Sequence, residues 1–159
     1  MNPNKIIYTA ALGNAAVNAA LNGIITYFTF KSFDKVPFSL DSISNKEITV
    51  FGTILPTVLQ LSFILGIITY FRFKKTAMEK NLAEPSTINK PFFPDMIKFI
   101  FGKTITAFGF MMIISVLWQR FFGTLYTSNL IATIIIAAAS GITALYIGVS
   151  VSKEIIRQK

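Results

Sequence analysis

Long apolar runs broken by short polar ones dominate this chain, and their length decides how they are read. Four stretches, at about 6–30, 48–73, 96–119 and 129–152, each approach or exceed 20 mostly apolar residues. Crossing the hydrocarbon core of a bilayer takes about 20 such residues in a helix. In lipid a spanning segment must also pair its own backbone groups, which a helix does and an isolated strand cannot. The pattern therefore predicts an all-α integral membrane protein, a bundle of four transmembrane helices forming one membrane domain over 1–159.

The polar positions inside these runs carry more information than the apolar ones. Asn14, Asn18 and Asn22 recur every four residues in the first run. Each step of four turns a helix by only about 40°, so the three amides share one narrow stripe, which Thr26 extends. A carboxamide facing lipid is costly, so the stripe is expected to face protein or water. Thr57 and Gln60 share a face of the second run, and Ser140 lies at the middle of the fourth. If consecutive spans pack antiparallel, Asn18 levels with Gln60 and Asn22 with Thr57. Two readings follow: the amides bridge helices as packing glue, or they line a wet path. Small residues offer a further packing signal. Ala11, Ala15, Ala19 and Gly23 make an unbroken row on the first run, and Ala137, Gly141, Ala144 and Gly148 supply similar spacings on the fourth. Both rows are candidate subunit seams. A hexamer, Gly-Ile-Ile-Thr-Tyr-Phe, occurs at 23–28 and again at 66–71. The copies lie in consecutive spans with unlike flanks, so they read as coincidence within a limited membrane alphabet plus a shared aromatic anchor, not as the internal repeat of a transporter.

Charge sets the orientation. Eleven cations fall on one side: Lys5, Arg72, Lys74, Lys75, Lys80, Lys90, Lys98, Lys103, Lys153, Arg157 and Lys159. Four fall on the other: Lys31, Lys35, Lys46 and Arg120. The positive-inside rule then predicts both termini in the cytoplasm and a multi-pass protein of the plasma (inner) membrane. The net charge of +8 does not point to nucleic acid, because the cations cluster beside apolar runs, where anionic headgroups account for them. Ser44 with Glu47 matches a capping box for the second span, and Thr127 or Ser128 suits the start of the fourth.

Composition narrows the chemistry. Only 14% of residues are charged, against about 25% in soluble domains. There is no cysteine and no histidine, which removes thiol catalysis, disulfides and zinc or haem ligation through those residues. All seven acids lie outside the four runs, so an intramembrane carboxylate relay is not expected. No enzyme activity and no cofactor are predicted. Lys103, inside the third run, is expected to attract an anion from the cytoplasm or to snorkel to the inner headgroups. The leading expectation is a permease-like or channel-like protein for a small neutral or anionic solute. Its path would be lined by Asn14, Asn18, Asn22, Thr57, Gln60 and Ser140, with the lipid bilayer and further copies of the chain, as a homo-oligomer, for partners. The alternative is a structural or accessory subunit that docks a partner membrane protein through the same polar and small-residue faces.

Overall fold

The computed structural model describes residues 2–40, 48–82 and 94–157. Four long helices account for most of it: α1 (Pro3–Phe30), α2 (Val50–Glu79), α3 (Asp95–Phe122) and α4 (Asn129–Arg157). Each has 28 to 30 residues, roughly 42–45 Å at about 1.5 Å per residue. Three of them, α2, α3 and α4, are long and apolar enough to cross a membrane. The fourth, α1, has the length but not the apolarity, because its asparagines and small residues dilute the aliphatic content.

The helix ends follow local chemistry. Pro3 opens α1, and the Asn2 side chain accepts a hydrogen bond from the Asn4 N–H at 3.0 Å. Thr49 caps α2 by accepting from the Gly52 N–H at 3.0 Å. Thr49 is thus the cap, five residues after the expected Ser44, which lies with Glu47 outside the described residues. At its other end α2 closes through Asn81 in the left-handed region at φ 49°, which lets the Leu82 N–H reach the Ala77 carbonyl at 2.9 Å. Gly123, at φ 65°, ends α3 where a side chain would be strained. Ser128 caps α4, accepting from the Ile131 N–H at 3.3 Å.

Packing overturns the expected pairing of α1 with α2. α1 lies along α4, α4 along α2, and α2 along α3, with only a light contact between α3 and α4. The reason lies in the small-residue rows, which pair with each other inside one chain and do not form free seams. A β-carbon built on Gly148 would sit 3.3 Å from the Ala11 Cβ, one on Gly141 3.2 Å from the Ala19 Cβ, and one on Gly23 3.2 Å from the Ala137 Cβ. Those pairings run α1 and α4 antiparallel at close backbone approach. α2 and α4 run parallel. Their C-terminal thirds share a core around Tyr70, Phe73, Ile147 and Val151, at the end where α1 begins and α4 finishes, labelled inner, and their N-terminal thirds a core around Phe51, Ile54, Ala132 and Ile136, at the opposite end, labelled outer.

The connections that follow α1 and α3 each contain a short strand. β1 (Lys35–Phe38) and β2 (Leu125–Ser128) form an antiparallel pair, with Val36 opposite Thr127 and Pro37 opposite Tyr126. Strands of four residues escape a periodicity reading, and Pro37 argues against one. A two-stranded ribbon is all edge, which is why proline is tolerated here. The Gln119 Oε1 ties this ribbon to α3, accepting from the Ser39 Oγ at 3.0 Å and the Leu40 N–H at 3.2 Å. The Phe38 ring packs at a tilt against Trp118, with centroids 4.5 Å apart, and edge-to-face against Phe51 at 4.7 Å, sealing the outer end.

Candidate functional site

The asparagine stripe forms as one face of α1, and all three residues are half-buried. Its amides turn first to their own helix. The Asn18 Nδ2 donates to the Asn14 carbonyl at 2.8 Å, and the Asn22 Nδ2 to the Asn18 carbonyl at 3.0 Å. A primary amide has two N–H groups and a carbonyl oxygen. One donor at each of positions 18 and 22 is therefore used, and an acceptor and a second donor remain.

Thr57 behaves likewise. It is half-buried and donates to the Thr53 carbonyl at 2.8 Å, while Thr53 donates to the Thr49 carbonyl at 3.0 Å. Ser140 is buried in α4 and donates to the Ile136 carbonyl at 2.9 Å. A hydroxyl whose proton is committed in this way offers only lone pairs to anything else. Gln60 is exposed on the surface of α2. Lys103 is half-buried on α3, its Nζ 5.3 Å from the centre of the Phe99 ring. Phe99 lies one turn nearer the start of α3, so the ammonium leans toward that end of the helix.

These seven residues do not gather into one track within the chain. α1 packs on α4, not on α2, so Asn18 and Gln60 are not facing partners. Lys103, on the far flank, stands apart from the stripe.

What the fold does assemble is a polar notch at the inner end, between α1 and α2 over α4. Asn14 from α1, Thr69, Arg72 and Thr76 from α2, and Ser152 from α4 line it, around a cavity of about 150 Å³. Gly148 and Ala11 form its floor, where the close α1–α4 approach leaves no side-chain bulk. Thr69 and Ser152 are buried, whereas Arg72 is exposed and keeps its guanidinium in reach of water. The Thr76 Oγ1 donates to the Arg72 carbonyl at 3.2 Å. The notch therefore offers one fixed cation, a carboxamide and several hydroxyls, a set suited to an anion or to a neutral polar group.

Sequence reasoning found Asn14 but missed the rest of the notch. Thr69, Arg72 and Thr76 fall at spacings of three and four on one face of α2. That pattern was legible, but Arg72 also satisfied the simpler description of a flanking charge. Ser152 had no signal of its own. Among the described residues no group of acidic side chains is placed to hold a metal ion. Comparison with protein-family models, with curated proteins and with solved structures finds no match to the chain.

Proposed function

We propose that this chain is a small permease-like or channel-like protein of the plasma membrane, spanning it four times with both termini in the cytoplasm. It would admit a small neutral or anionic solute at the inner notch and pass it along the asparagine stripe of α1. The observation that carries this reading is the notch itself: Arg72, Asn14 and buried hydroxyls converge where the stripe begins. The charge asymmetry supports a cytoplasmic position for that end. Beyond the notch, Asn18 and Asn22 each retain one N–H and a carbonyl oxygen, so a solute moving outward would meet alternating donors and acceptors. Within the spans of α2 and α4, Thr57 and Ser140 present lone pairs only.

A homo-oligomer completes the reading. Gln60 is exposed in the middle of an apolar helix, and an uncovered amide in lipid is costly. A second copy covering Gln60 would satisfy it and enclose the α1 face that α4 leaves open. The same exposed amide equally suits the second reading, an accessory subunit that docks another membrane protein there.

The cysteine-free chain makes the path directly testable. Asn18→Cys is placed in inside-out vesicles and treated with a small, membrane-impermeant thiol reagent, with Lys153→Cys as an inner control. Modification at position 18 is the expected outcome, because water follows the notch into the stripe. Protection at 18 alongside labelling of the control overturns the path and leaves the docking reading.

A further inference from the structure

α3 and α4 both flank α2 but barely touch each other, and the gap between them is a long apolar groove of about 580 Å³. Ala107, Phe110 and Ile114 form one wall, and Ala138, Ile142 and Tyr146 the other. The alanines keep the groove deep, while Phe110 and Ile142, both well exposed, stand up as its rims. Lys103 occupies the same α3 face, since 103, 107, 110 and 114 step by four, three and four. Its ammonium lies over the Phe99 ring, and Phe99 and Tyr146 pack against the same inner core. Lys103 and Tyr146 thus both stand toward one end of a largely apolar slot. Among the described residues no acid pairs with Lys103; the salt bridge they contain joins Lys75 to Glu79 at 3.9 Å.

From Lys103 to Ile114 the groove runs roughly 16 Å at about 1.5 Å per residue. One leaflet of hydrocarbon is about 15 Å, half of a core of about 30 Å. A cation with no acidic partner among the described residues, at the headgroup end, and an apolar slot one leaflet long are complementary to one class of molecule. We infer that the α3–α4 groove holds one anionic phospholipid per chain, its phosphate against Lys103 and the Tyr146 hydroxyl and one acyl tail along the groove. A snorkelling lysine alone would draw passing headgroups without retaining any; the groove adds the apolar contact that holds one lipid in place. This site lies on the opposite flank from the notch and is independent of the solute path.

The test uses the full chain purified in detergent with equimolar dioleoylphosphatidylglycerol and dioleoylphosphatidylcholine, read by native mass spectrometry. One phosphatidylglycerol per chain is expected, favoured about fivefold or more over phosphatidylcholine. Lys103→Gln is expected to abolish that preference, and Lys103→Arg to keep it. Ala138→Phe, on the exposed wall, is expected to lose retention of both lipids. Unfolding followed by Trp118 fluorescence should be unchanged in the lysine variants, so a loss of preference reports the site and not the fold. Equal retention of the two lipids by the native chain, or a preference that survives Lys103→Gln, overturns the inference. A lipid-free dimer that Ala138→Phe dissociates also overturns it, and assigns the groove to a second copy.

Discussion

Gly66 shows how much one missing methyl can decide. A β-carbon there would lie 2.5 Å from the Ile100 Cγ2, and Ile100 is fully buried in the inner core. Ile100 is β-branched and held on α3, so it has little freedom to turn aside. Gly66→Ala is therefore expected to destabilise the protein by about 1–3 kcal/mol, although alanine is the better helix former by about 1 kcal/mol. Thermal unfolding in detergent checks this, and an unchanged midpoint would mean that α3 does not press on α2 as described. The two copies of the repeated hexamer look different at this scale. Gly23 opens the approach of α1 to Ala137, and Gly66 opens that of α2 to Ile100. Each copy begins with the glycine that admits a neighbour, so the shared sequence has a packing role beyond the aromatic anchor. The asparagines carry a similar lesson. Their spacing was legible as a stripe, but not their first use, which is to donate to their own backbone one turn earlier.

Among the elements, α1 and α4 form the tightest pair, and the absence of cysteine makes that pairing measurable. The Ala11 Cβ and a β-carbon at position 148 are 3.3 Å apart, close to the usual 3.5–4.5 Å between disulfide-linked β-carbons. Ala11→Cys with Gly148→Cys is expected to oxidise to an intramolecular disulfide that shifts the band on a non-reducing gel. Asn18→Cys with Gln60→Cys is expected not to form one within a chain. The reverse result would restore the pairing of α1 with α2. That pairing was the natural expectation, because a short connection favours adjacency. It lost because β1 and β2 take up the outer connections while the alanine and glycine rows bring α1 onto α4. Small residues were visible in the sequence on both helices; that they match each other, and not a second subunit, depends on register along two separate segments.

For the whole molecule the decisive asymmetry is charge. Lys153 donates to the Tyr8 hydroxyl at 3.1 Å, and Lys74 to the Tyr70 hydroxyl at 3.4 Å. These pairs lie at the inner end, where aromatic rings and cations suit the headgroup layer. With the cytoplasmic termini proposed above, Asp34→Cys should react with an impermeant thiol reagent in intact cells, and Lys153→Cys only after the membrane is opened. Labelling of Lys153→Cys in intact cells would invert the topology and move the notch to the outer face. Length, hydropathy and charge order were enough by themselves to determine the helical class, the approximate helix bounds and the end at which cations collect, because each depends on residues close in the chain. Neighbour choice, the ribbon at 35–38 and 125–128, the notch around Asn14 and Arg72 and the groove beside Lys103 were decided only by tertiary structure. Each joins residues from separate helices or loops, and their meeting depends on which surfaces interlock most closely, a property of pairs of segments that no single stretch of sequence contains.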